Sequence, residues 1–205
     1  MSGYKPGRGL RIGLLGGSFN PAHEGHLHIS REALKRLRLD RVWWMVSPQN
    51  PLKSKDDMAP LAQRMESARA MAKHPRIDVT DIETRLGSTF TAETLALLSR
   101  RFPRHRFVWL MGADNLIQIP RWKDWNKIFT RVPIAIFARP SYDSRALFGK
   151  AATRYRASRV SQGDVPGLAD RSPPAWAFLA IRRHAASATA IRHRGRQGDV
   201  DHIDP

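Results

Sequence analysis

The stretch Gly16-Gly17-Ser18-Phe19-Asn20-Pro21-Ala22-His23-Glu24-Gly25-His26 decides the fold. Before it stands Leu10-Arg11-Ile12-Gly13-Leu14-Leu15, a compact apolar run that predicts a buried first strand. After it, Leu27 to Leu37 carries Ala33, Leu34 and Leu37 at helical spacing. Two glycines, a turn proline and two histidines thus lie between a strand end and a helix start. The first turn of a helix leaves backbone N–H groups unpaired and has the positive end of the dipole, so this junction suits a phosphate. Gly16 and Gly17 have no Cβ and let an anion approach the backbone. His23 and His26 fall on one side of a helical turn, and Gly25 between them presents no side chain. Two imidazoles beside a polyphosphate tend to be protonated and to stabilise its charge. A metal pair or plain surface histidines are the alternatives. The ordered set of strand, glycines, HxGH and helix favours the phosphate site.

The whole chain sets the limits. Its 205 residues suit one α/β domain with a substantial core. It has no cysteine, hence neither disulfides nor thiolate chemistry, which fits a cytoplasmic protein. No apolar run approaches the length of a membrane span. Met1 to Gly9 is polar and basic, unlike a secretory signal, and is expected to be a frayed tail. The formal net charge of +17 attracts polyanions, both nucleic acid and small phosphorylated substrates. The arginines are spread along the chain, denser after Arg139, and no tract interleaves them with aromatics. Most of the charge therefore reads as solvated surface rather than a nucleic-acid face. No internal repeat is present.

Further along, Arg41 to Val46 predicts a second strand, and Ser47 to Lys53 a proline-marked loop. Loops at the carboxyl ends of parallel strands line the ligand crevice. There Asn50 offers an amide and Lys53 a mobile cation; on the residues alone, Lys53 reads first as a solvated loop lysine. Leu61 to Met71 predicts an amphipathic helix with Leu61, Met65, Ala68 and Met71 facing the core. A short strand is expected over Ile77 to Ile82. Gly87 marks a loop, and Thr89 or Thr91 is placed to cap a helix running to about Arg101. Free N–H groups at that helix start suit a substrate carboxylate.

His105 to Met111 predicts a buried strand ending in Gly112-Ala113-Asp114. Asp114 suits ribose hydroxyls, or equally an N-cap. Trp122 follows a proline turn, and Trp125 is the better candidate for a purely packed indole. Val132 to Ala138 predicts a strand that delivers Arg139 to its end, for a phosphate or a surface ion pair. A basic helix is expected over Asp143 to Arg156, a loop over 158–174, and a last strand over Trp176 to Ile181. Ser187, Thr189 and Arg192 then combine hydroxyls at a helix start with an arginine, a phosphate clamp or a simple cap.

Gly-Gly-Ser-Phe-Asn-Pro-x-His-x-Gly-His resembles the signature of the HxGH nucleotidyltransferase superfamily, and within it the bacterial nicotinate-nucleotide adenylyltransferases. The likeness runs from about Ile12 to Arg192 in five ordered motifs. Arg85-Leu86-Gly87-Ser88-Thr89-Phe90-Thr91-Ala92-Glu93-Thr94-Leu95 is similar to the family's Arg-x-Gly-x-Ser-Tyr-Thr-x-Asp-Thr-Leu. Here Thr89, Phe90 and Glu93 replace serine, tyrosine and aspartate. Gly112-Ala113-Asp114, Pro120-Arg121-Trp122 and Ser187-Ala188-Thr189-Ala190-Ile191-Arg192 match the later motifs, with Ala188 replacing a serine. Pro51-Leu52-Lys53 lacks the histidine of the family's Pro-Pro-His-Lys.

The resemblance implies an open, mostly parallel Rossmann-like α/β sheet with helices on both faces, in a single domain over 1–205. It implies that ATP and nicotinate mononucleotide give nicotinate adenine dinucleotide and pyrophosphate. His23, His26 and Arg192 would be catalytic. Gly16, Gly17, Ser18, Phe19, Gly25, Gly112, Asp114, Ser187 and Thr189 would join them around ATP. Asn50, Lys53, Thr91, Trp122 and Arg139 would hold the acceptor, with the indole stacking on the pyridine ring. Mg²⁺ would arrive with ATP, since no carboxylate cluster is fit to cage it. Nicotinamide mononucleotide and phosphopantetheine are the competing acceptors. A basic RNA-binding protein on the same fold is the competing class, and homo-oligomerisation is left open.

Overall fold

Near-continuous apolar runs along the strands dictate a sheet covered on both faces, and the computed structural model shows one. It describes residues 9–48, 58–139 and 142–181. The first half comprises β1 (Arg11–Gly17), α1 (Glu24–Arg36), β2 (Arg41–Val46), α2 (Leu61–Met71), β3 (Ile77–Thr80), α3 (Ile82–Leu86) and α4 (Thr91–Arg101). The second comprises β4 (Arg106–Gly112), α5 (Ala113–Gln118), α6 (Trp125–Arg131), β5 (Ile134–Phe137), α7 (Asp143–Leu147), α8 (Lys150–Arg154) and β6 (Trp176–Leu179).

The strand order is β3-β2-β1-β4-β5-β6, with every pairing parallel. A parallel neighbour requires a crossover connection, usually helical and right-handed. The first three strands wind away from β1 in one direction and the last three in the other. Where the winding reverses, the loops leaving β1 and β4 part and open a crevice at their carboxyl ends.

Neighbouring residues on a strand face opposite layers. On β4, Val108 and Leu110 join one core cluster, with α1, α2 and the segment Val165 to Ala169. Phe107, Trp109 and Met111 join the other, with α4, α5, α6 and α8. At about 25 cal/mol per Å² of apolar area removed from water, these two layers are the main stabilising contribution.

Four expectations change. The strand begun at Ile77 ends at Thr80, and the short α3 follows. The N-cap of α4 is Phe90, with no side-chain cap bond, so neither Thr89 nor Thr91 caps it. The basic helix divides at Phe148 and Gly149 into α7 and α8. Within 158–174, Gln162–Asp170 forms 3-10 turns that bury Val165, Leu168 and Ala169. Asp170 pairs there with Arg11 and Arg106, which reach it from the starts of β1 and β4. Glycine and proline in that segment mask a short apolar run that only the sheet completes.

Two buried charged residues tie the carboxyl edge together. Arg64, on α2, is 2% exposed. It donates to the carbonyls of Ala59 (2.8 Å), Ser18 (2.8 Å), Ser47 (2.7 Å) and Pro48 (3.0 Å), joining the loops that follow β1 and β2. Ser47 in turn donates its N–H to the Gly17 carbonyl (2.9 Å). Glu83, on α3, is 6% exposed. Its Oε1 lies 3.3 Å from Thr94 Oγ1, Thr94 Oγ1 lies 2.9 Å from Ser88 Oγ, and the Ser47 side chain also hydrogen-bonds the carboxyl. Burial pushes that carboxyl up to about 7, against the opposing pull of the Thr94 and Ser47 hydroxyls.

Replacing Arg64 by Met keeps the stem and removes the donors to four carbonyls. Urea unfolding should then show a loss of about 2–4 kcal/mol. Glu83 has a folded pKa above its unfolded value of 4.5. Its contribution is therefore fully present below that value and is lost as pH rises through about 7. Relative to Glu83→Gln, which cannot ionise, the wild type should weaken by about 3 kcal/mol across that window, read by urea unfolding at each end.

Candidate active site

The junction after β1 is built by local chemistry. Phe19 takes a left-handed turn (φ 47°) that folds its ring inward. The ring is 1% exposed, stacked on Trp44 with centroids 5.2 Å apart and 4.6 Å from the His26 ring. Phe19 therefore supports His26 from below and presents no open face. Trp44 Nε1 donates to Ser30 Oγ (2.7 Å), and Ser30 Oγ donates to the His26 carbonyl (2.8 Å), fixing the first turn of α1 from inside.

His23 is the N-cap of α1 and His26 its third residue. Gly25 N–H donates to His23 Nδ1 (3.1 Å), and His23 N–H donates to His26 Nδ1 (3.2 Å), a reciprocal capping box made of imidazoles. Each Nδ1 thus faces a backbone N–H at the start of the helix. The ring centroids lie 3.8 Å apart. What the pair offers a phosphate is two imidazoles set side by side at a helix N-terminus. Ser18 and His23 are buried, and His26 is half-buried.

Gly16 is bare for a packing reason. A Cβ there would stand 2.5 Å from Trp109 Cη2, so the indole closes over the strand at the crevice floor. A Cβ on Gly17 would meet only ordinary contacts with Phe19.

Across the reversal, Gly112 is the N-cap of α5 and Asp114 lies in its first turn. Asp114 is thus no N-cap, the alternative left open by the sequence. Arg139, just past β5, brings Nε to 3.2 Å from Asp114 Oδ1. That oxygen is buried and accepts no hydrogen bond among the described residues. A Cβ on Gly112 would lie 2.4 Å from the same oxygen and 2.5 Å from Arg139 Nε, so the pair needs glycine beneath it.

Thr91 opens α4 and Trp122 ends the 3-10 turn Ile119–Arg121. Lys123 Nζ stands 4.4 Å above the Phe90 ring, which brings the Trp122 turn beside the Thr91 turn. Trp125 packs edge-on against Phe129 and Tyr155, in keeping with its expected structural part. The structure therefore gathers His23 with His26, Asp114 with Arg139, and the Thr91 turn with the Trp122 turn. Asn50, Lys53, Ser187, Thr189 and Arg192 lie outside the described residues. Arg64, Ser47 and Glu83 were not singled out from sequence. Their signal is burial, which a helical arginine or a loop serine does not announce.

Among the described residues no three His, Cys, Asp or Glu side chains cluster to hold a metal. No described helix is long and apolar enough to cross a membrane.

The cytidylyltransferase-like family model matches residues 14–194. A protein of Parvibaculum lavamentivorans named "probable nicotinate-nucleotide adenylyltransferase" is 55% identical, over 91% of this chain and 93% of its own. One of the same name from Cereibacter sphaeroides is 56% identical, over 90% of this chain and 98% of its own. Among solved structures, nicotinic acid mononucleotide adenylyltransferase of Plasmodium falciparum complexed with NaAD superposes with a TM-score of 0.67. It is 15% identical, with 90% of this chain and 83% of that one covered, a likeness of fold. With the crevice at the winding reversal and the HxGH turn on its floor, these matches mean that the chain belongs to the nicotinate-nucleotide adenylyltransferases of the cytidylyltransferase-like family.

Proposed function

We propose that this chain joins ATP and nicotinate mononucleotide in the crevice between β1 and β4, giving nicotinate adenine dinucleotide and pyrophosphate. The observation that carries the reading is the imidazole capping box, which sets two histidine rings side by side, with centroids 3.8 Å apart, at one helix N-terminus. The acceptor's 5′-phosphate oxygen attacks the α-phosphorus of ATP, and the bond to the pyrophosphate oxygen breaks. No protein nucleophile is required. Positioning and charge stabilisation supply the catalysis.

His23 and His26 donate to phosphate oxygens as charge moves toward the leaving group. Gly16, Gly17, Ser18 and Gly25 form the turn against which the phosphates lie, and Phe19 keeps His26 upright beneath them. Asp114 Oδ1, a buried acceptor with no hydrogen bond among the described residues, takes a ribose hydroxyl, and Gly112 gives it room. Ser187, Thr189 and Arg192 hold the leaving polyphosphate, as their motif implies. Thr91 offers backbone N–H to the acceptor's carboxylate, Trp122 covers its pyridine ring, and Arg139, Asn50 and Lys53 neutralise its phosphate. Mg²⁺ enters bound to ATP as part of the substrate. The cysteine-free chain and its nucleotide substrates support a cytoplasmic location.

Pyrophosphate release with ATP, Mg²⁺ and either nicotinate or nicotinamide mononucleotide tests the reading. Fast release with the nicotinate form is expected, and release with neither overturns it. His26→Ala should lower turnover at least about tenfold. Near-normal turnover would remove His26 from the chemistry. Gly112→Ala displaces the Asp114–Arg139 pair. It should raise KM for ATP about tenfold, with a melting temperature lowered by only a few degrees, about 1–2 kcal/mol.

A further inference from the structure

Glu83 lies buried against the first turn of α4. Thr94, which touches its carboxyl, is the fourth residue of that helix, and its hydroxyl also lies 3.2 Å from the Phe90 carbonyl at the N-cap. A hydroxyl has one proton. When Glu83 is ionised, Thr94 must donate to it. When Glu83 is protonated, the acid gains a proton of its own to place between them, and Thr94 can turn its proton to the Phe90 carbonyl. The protonation state of Glu83 thus alters both the hydrogen bonding and the charge under the start of α4, the positive end of its dipole.

The groups facing that carboxyl are hydroxyls: Thr94 from α4 and Ser47 from the end of β2, with Ser88 behind Thr94. Charges on the surrounding elements are engaged elsewhere. Arg85 pairs with Asp81 and reaches Thr80, Arg64 reaches carbonyls, Lys123 lies over Phe90, and Glu93 is exposed. Among the described residues no cation in this set neutralises an ionised Glu83, and its negative charge lies against the α4 turn.

We propose that Glu83 determines acceptor specificity: in its neutral form it leaves the N-terminal turn of α4 to an anionic acceptor group, and in its ionised form it opposes that group. The inference rests on the reading of the Thr91 turn as the acceptor-carboxylate site. Glu83 is a positioning residue with an electrostatic effect; it touches no reacting atom. Its burial places the proton loss near neutral pH, above the range of the acceptor's own carboxylate. Selectivity for the acid over the amide therefore falls as pH rises.

The test is steady-state pyrophosphate release by the full chain at saturating ATP and Mg²⁺, with each mononucleotide in turn. KM for nicotinate mononucleotide should rise about fivefold between about pH 6.5 and about pH 8.5. KM for nicotinamide mononucleotide, which shares the phosphate and lacks the carboxylate, should stay level, as should kcat. Glu83→Gln should flatten the nicotinate profile at its low-pH value. Ser47→Ala and Thr94→Val each remove a donor to the ionised form, so each should move the midpoint of the rise to higher pH. These two keep the proposal falsifiable should Glu83→Gln fail to fold. A level profile in the wild type, an equal rise for both acceptors, a rise retained in Glu83→Gln, or midpoints unmoved in both hydroxyl variants overturns the proposal and leaves the functional reading standing. Release with neither acceptor overturns the reading and the proposal together.

Discussion

The reversal of winding between β1 and β4 is the constraint on which the remaining structure depends. Parallel strands cannot be joined by tight turns, so each connection crosses a face of the sheet and returns. A sheet that grows in both directions from its centre leaves two central loops with no crossover between them. The HxGH turn leaves one of these strands and Gly112-Ala113-Asp114 the other. Residues about ninety positions apart in the chain thereby face one crevice.

Within the crevice the two histidines complete the cap of α1: Nδ1 of each ring accepts from a backbone N–H, which fixes the ring orientation. Rings held in this way have little conformational entropy left to lose. The net charge of +17 acts at longer range, raising the local concentration of phosphorylated molecules. The capped histidine pair at the floor and a cationic surface outside are compatible devices on different length scales.

The polar edge around Ser47 shows how burial changes ordinary residues. Ser47 contacts Gly17 through its N–H, Arg64 through its carbonyl and Glu83 through its side chain. Backbone and side-chain bonds thus connect the turn after β1 with the turn before α4. In water such bonds exchange readily with solvent. In a site of low dielectric an unmade bond is costly, and the arrangement resists being pulled apart.

By itself the sequence determined the order of strands and helices, the apolar runs that form the sheet, and the HxGH, Gly-Ala-Asp and threonine-rich turns at strand and helix ends. These are local signals: periodicity, glycine and proline placement, and the chemistry of a few contiguous residues. It did not reveal that Phe19 supports His26, that imidazole nitrogens cap α1, that Gly112 makes room for Asp114 and Arg139, or that Gln162–Asp170 packs under the sheet. It gave no role to Arg64 or Glu83. Each of these depends on which distant groups surround a residue and how much water is excluded. Ring orientation, a shifted pKa and the need for a missing Cβ are properties of that environment, and only the tertiary structure supplies it.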